Sequence, residues 1–133
     1  MRLKNYTLQL DTTCPRCGQA QENDVHIIYD CFYAQEIWNE ISKWRSIPIT
    51  SHQGILQHLT HSRGKSAMKQ ISFAVYAATV YNLWQARNSF IFQQQTTTAQ
   101  QMVKWVKEQV IYRILYLDRI SNKFRHYIDS LLI

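Results

Sequence analysis

Glycine and proline are scarce, at three and two of 133 residues. So few turn formers ill suit a loop-rich all-β fold and favour long helices. Acidic side chains are also short over most of the chain: beyond Glu40 only Glu108, Asp118 and Asp129 remain. Polymerases and nucleases of the two-metal type need clustered carboxylates to hold their ions. No Asp-Asp pair, no glycine-rich phosphate loop, and no serine or cysteine with a plausible base is present, so the chain reads as non-enzymatic. Long apolar runs are missing too. The longest, Ile71 to Trp84, is interrupted by Ser72, Thr79 and Asn82 and is too short to span a bilayer. No basic start followed by an apolar stretch marks a secretory signal, so the expectation is a soluble intracellular protein with no membrane partner.

Apolar residues make up 46% and charged ones 18%, enough to bury a core and too apolar for a disordered tail. The formal charge of +6 is unevenly placed. Residues 1–40 carry three basic and six acidic side chains, a balance of −3; residues 41–133 carry twelve and three, a balance of +9. Such an excess favours a polyanionic partner, most often nucleic acid, on a surface mainly outside the first forty residues.

All three cysteines fall in the acidic part, in the pattern Cys14-x2-Cys17-x8-His26-x4-Cys31. Three thiolates and one imidazole form a standard tetrahedral ligand set for a single structural Zn2+. Pro15 restricts φ in the Cys-Pro-Arg-Cys-Gly turn, and Gly18 permits the positive φ that follows it. A Cys14–Cys17 disulfide would leave Cys31 over, and nothing points to an oxidising compartment. A catalytic zinc would keep a position for water, whereas four ligands are supplied. In zinc deaminases a His-x-Glu precedes Pro-Cys-x-x-Cys; here the histidine comes third and Ile28 stands in the glutamate's place. With three thiolates the metallated site carries about −1, so it is expected to hold the fold rather than phosphates, with Arg16 at the turn's tip as a local exception.

Downstream, Ile37, Trp38, Ile41 and Trp44 mark an amphipathic helix packed on the zinc turn. Residues 46–65 read as a connector with a short helix around Ile55 to Leu59; its His52, His58 and His61 lack metal-site spacing and read as solvent-exposed. Ser66 to Phe92 reads as a long helix, apolar nearly all round through Met68, Ile71, Val75, Val80, Tyr81 and Trp84, hence the buried centre of a bundle. After the polar QQQTTT loop, Thr98 and Gln101 form a capping-box start to a helix striped by Val103, Val106, Val110, Ile114 and Leu117. Helical periodicity continues through Ile120, Phe124, Ile128 and Leu131. The expected fold is mainly α: a small Cys3His zinc module packed on a bundle of three to four helices. Residues 1–45 form the module and its helix, 46–65 the connector and 66–133 the bundle portion, together one compact unit.

The zinc cluster, Glu22 four positions before His26, Trp38 seven after Cys31, and the later LWQARNSFIF (Leu83 to Phe92) carry a likeness. Together they resemble the zinc-binding domain that follows the reverse transcriptase in plant LINE-type (non-LTR) retrotransposon polyproteins. The likeness spans about Arg2 to Phe92. Asn23 departs from the threonine usual in that pattern, and the segment ahead of the first cysteine is shorter, as if truncated at Met1. The resemblance implies nucleic-acid association during target-primed reverse transcription, a nuclear rather than cytoplasmic setting, and Cys14, Cys17, His26 and Cys31 as zinc ligands.

Two functions are therefore expected as alternatives. In one, the chain is an accessory module binding RNA or DNA without strong sequence preference. Candidate phosphate contacts are Arg16, Lys43, Arg45, Arg63, Lys65, Lys69 and Arg87, followed by Lys104, Lys107, Arg113, Lys123 and Arg125. Arg87-Asn88 also reads as a helix-capping or inter-helix hydrogen bond. In the other, a host has recruited the fold as a protein-interaction scaffold, with Trp44, Trp105 and Tyr112 as anchors if exposed and as core if not.

Overall fold

Helices form where apolar side chains recur every three to four residues, and the computed structural model describes five helical elements and no strand within Cys14, Asn23 and residues 26–45, 67–121 and 123–132. A π-helical turn, His26–Asp30, leads into α1 (Phe32–Arg45). Then come α2 (Ala67–Gln93), α3 (Ala99–Ser121) and the short α4 (Arg125–Leu131). The mainly α architecture read from the sequence is the one observed. The connector, with its suggested short helix and three histidines, lies outside the described residues.

The long antiparallel α2–α3 pair dominates the packing, α1 and the π-turn lie against it, and α4 folds back on α3. Ile37, Trp38 and Ile41 of α1 meet Ile71 and Val75 of α2 and Met102, Val106, Val110 and Ile114 of α3 in one continuous core. Three tertiary hydrogen bonds set the register. Tyr33 donates its hydroxyl to the Thr97 carbonyl at 2.6 Å, and Trp44 Nε1 donates to the Leu131 carbonyl at 3.3 Å. Asn82 Nδ2 donates to Gln109 Oε1 at 2.9 Å across the α2–α3 seam, where a slip of one turn would leave a buried amide unpaired.

Two expectations need correction. The second helix is not buried all round: Met68, Phe73, Tyr81, Ile91 and Phe92 are exposed, while Ser72, Thr79 and Asn82 are buried. The inner face tolerates these polar groups because two bond to their own helix: Thr79 Oγ1 donates to the Val75 carbonyl at 2.7 Å, and Asn82 Nδ2 also donates to the Ala78 carbonyl at 2.7 Å. Ile71, Val75 and Leu83 share that face with them, and the exposed aromatics lie on the other side of the helix. The tail is likewise not one continued helix. It breaks after Ser121, leaves Ile120 exposed, and turns so that Phe124 and Leu131 return to the core. An ion pair from Arg125 Nε to the largely buried Asp118 carboxylate, 3.3 Å, bridges the break.

Helix ends follow the local chemistry. Thr98 caps α3 as its Oγ1 accepts the Gln101 amide at 3.1 Å, the leading half of the expected capping box. At the end of α2 the Gln95 amide reaches back to the Ser89 carbonyl at 3.1 Å, and Gln94 takes φ 54°, a left-handed conformation that favours glycine. Gln94→Gly is therefore expected to stabilise the fold by about 0.5–1 kcal/mol, read as a higher urea midpoint at unchanged slope.

Candidate metal centre

Histidine and cysteine five residues apart do not share a face of an α-helix: at 3.6 residues per turn, five steps place the second about 140° round the axis. The π-helical turn removes that mismatch. The Cys31 amide donates to the His26 carbonyl at 2.7 Å, and the wider turn closed by this i→i+5 bond brings Cys31 round to the same side of the axis as His26. Asn23 starts the turn. Its Oδ1 accepts the His26 amide at 2.9 Å and its carbonyl accepts the Ile27 amide at 2.9 Å, the work of an N-cap residue. The Cys31 carbonyl then accepts the Gln35 amide at 2.8 Å and hands the chain to α1.

Cys14 completes the described cluster. Its Sγ stands 3.8 Å from Cys31 Sγ, too far for a disulfide bond of about 2.05 Å. Ligating atoms of Cys14, His26 and Cys31 all lie within 4.8 Å of one another, and all three side chains are buried. Two buried sulfurs and an imidazole at that separation form a group able to hold a metal ion, with soft donors suited to a transition metal. Of the four predicted ligands, the fold thus brings three together. Cys17 lies outside the described residues, as do Arg16, Arg63 and Lys65.

The cluster is locked to the bundle by Trp38. Its indole is 1% exposed and donates Nε1–H to the Ile28 carbonyl at 2.7 Å, a carbonyl inside the π-turn. The same ring lies nearly parallel to Tyr29 at 6.0 Å and tilted against Tyr76 of α2 at 5.9 Å. Tyr29 and Tyr76 also join hydroxyl to hydroxyl, and the Gln35 side chain donates through Nε2 to the Tyr29 carbonyl. Burial, followed by the Tyr76 hydrogen bond, pushes the Tyr29 phenol well above the ordinary tyrosine range. Neither the π-turn nor the tyrosine pair was foreseen from the sequence; the His-x4-Cys spacing was the available signal.

The described candidates for phosphate contact fare differently. Arg87 is 5% exposed, with its guanidinium over Trp84 and an Nη1 bond to Asn88 Oδ1 at 3.1 Å. So buried, it offers little surface to a phosphate, in contrast to the expectation of a surface contact. Lys43 pairs with Glu40 at 3.1 Å on the surface. Arg45 lies over Trp44 and donates to Ser130 Oγ at 3.4 Å, and burial pulls its guanidinium below the ordinary arginine range. Lys69 packs over Phe73 and Lys107 over Trp44. Trp44 is half-buried, while Trp105 and Tyr112 are exposed. Among the described residues no helix is long and apolar enough to cross a membrane.

Comparison of the chain with protein-family models, curated proteins and solved structures finds no match to any of them.

The raised Tyr29 phenol has a defined pH signature. The folded state holds a proton that the unfolded state releases near pH 10, so this contribution is intact below pH 10 and is lost as pH rises towards the folded-state value. Stability should fall by up to ~1 kcal/mol per pH unit in that window. Urea titrations from pH 9 to 11 should show a shallower decline for Tyr29→Phe, whereas parallel declines would refute the assignment.

Proposed function

We propose that this chain is a zinc-stabilised, non-catalytic module that binds nucleic acid, derived from the domain following the reverse transcriptase in LINE-type polyproteins. The cysteine–histidine cluster carries the structural part of this reading. Two sulfurs each ~2.3 Å from one tetrahedral ion stand about 3.8 Å apart, and Cys14 and Cys31 have that separation. Cys17 is the fourth ligand, which closes the coordination sphere and leaves no position for a reacting water. Zinc here ties Cys14 to the π-turn and so to the helices that share the core. The departure at Asn23 is compatible with the family likeness, because asparagine and threonine both accept at a helix N-cap.

Nucleic acid is favoured as partner by the +9 balance of residues 41–133, which sits apart from the anionic metal cluster. Absence of catalysis is supported by the downstream carboxylates: Asp118 is engaged with Arg125, and Glu108 and Asp129 lie on different helices without a neighbouring pair in the sequence. A nuclear setting follows from the proposed origin. One observation favours the scaffold reading instead. A cleft of about 500 Å³ between α2 and α3, floored by Ala74, Ala77 and Ala78 and flanked by Phe73 and Tyr81, has the form of a peptide groove.

Metal analysis of purified protein should return one zinc per chain. Cys31→Ser should release it and melt the π-turn while α2 and α3 keep most of the far-UV circular dichroism; a fully folded, metal-free protein would refute the zinc reading. Anisotropy titrations with RNA and DNA at ~50 and ~200 mM salt should show affinity falling at least ~10-fold between the two. Absence of binding at the lower salt would leave the scaffold reading.

A further inference from the structure

Most described cations outside α3 already have a neighbour: Lys43, Arg45, Lys69, Arg87, Lys123 and Arg125 are paired with a carboxylate or laid over a ring. Lys104, Arg113 and Arg119 are different. All three are exposed, all three lie on α3, and no ion pair or ring contact to a described residue engages them. Between them on the same helix stand Trp105, Tyr112 and Tyr116, at 41%, 73% and 63% exposure. At 100° per residue the six occupy about half the circumference, opposite the buried stripe of Val103, Val106, Val110 and Ile114. They run along about 22 Å of helix. One carboxylate, Glu108, shares the face.

We propose that the outer face of α3 is a binding surface for single-stranded nucleic acid. Bases stack on Trp105, Tyr112 and Tyr116, and Lys104, Arg113 and Arg119 meet the phosphates. The proposal rests on the nucleic-acid reading above and narrows it to a strand type and a face. Exposed rings need exposed bases: in a duplex the base faces are stacked on one another, so rings add little there, whereas an open strand offers a π-face at every residue. Cations flanking the aromatic row place charge beside stacked bases, as in sequence-tolerant single-strand binders. Glu108 weakens the surface by repelling the backbone, and so serves as an internal control of opposite sign.

The test is fluorescence anisotropy with labelled oligo(U) and oligo(dT) of about 12 nucleotides, beside a duplex of equal length, on the zinc-loaded full chain. Single strands should bind more tightly than the duplex. Trp105→Ala and Tyr112→Ala should each weaken them about 10- to 100-fold. The triple change Lys104→Ala, Arg113→Ala, Arg119→Ala should reduce the salt slope by about two. Glu108→Gln should tighten binding, and Phe32→Ala, on exposed surface of α1, should leave it unchanged. Circular dichroism shows that each variant is folded. Full affinity in the Trp105→Ala/Tyr112→Ala double variant overturns this face while leaving nucleic-acid binding intact, and loss of binding to every polynucleotide removes both readings. Polyglutamate competing as well as oligo(U) reduces the face to an acidic-protein contact and overturns the stacking proposal.

Discussion

The burial of one indole ring joins the two parts of this structure. Trp38 reaches from α1 into the π-turn through a hydrogen bond to the Ile28 carbonyl, and packs against both Tyr29 of that turn and Tyr76 of α2. Truncating a buried tryptophan costs about 3–5 kcal/mol, a large part of what a domain of this size has to spare. The ring also satisfies a carbonyl inside a turn whose hydrogen-bond pattern is rare. Loss of that contact would free the turn to relax towards an α-helix, and His26 and Cys31 would then rotate apart. The geometry of the cysteine–histidine cluster thus depends on a side chain outside it.

Dependence runs the other way as well. A π-turn is a costly local structure, and an ion held by His26 and Cys31 would favour the geometry that lines them up. Aromatic packing from the bundle and coordination at the cluster therefore act on the same few backbone bonds. Charge follows the same division. A cluster with several thiolates is best placed away from phosphates, and among the described residues three exposed cations engaged by neither an ion pair nor a ring, Lys104, Arg113 and Arg119, lie on α3.

A good deal of this was readable beforehand. The ligand types and their spacing singled out Cys14, His26 and Cys31, the periodicity marked α1 and α3, and Thr98 with Gln101 marked where α3 begins. The errors have a common origin. Apolar residues spaced all round α2 were read as buried, although only contact with neighbours decides which face is covered. Arg87 was read both as a phosphate contact and as a partner in a helix hydrogen bond, and only packing over Trp84, with a bond to Asn88, showed that it is buried. Ile120 and Phe124 look equivalent in the periodic pattern, yet the break after Ser121 exposes the first and buries the second.

Composition and spacing by themselves determined a helical chain with a thiolate–imidazole cluster at one end and a basic body, because helix propensity, ligand chemistry and net charge are properties of residues and their intervals. Only the tertiary structure decided that the five-residue interval from His26 to Cys31 would be a π-turn. It also decided that Tyr29, Trp38 and Tyr76 would form one aromatic cluster, and that Lys104, Arg113 and Arg119 would face outward beside exposed rings. Those outcomes depend on which helix covers which face, and that is set by the competition of all apolar surfaces for the same core.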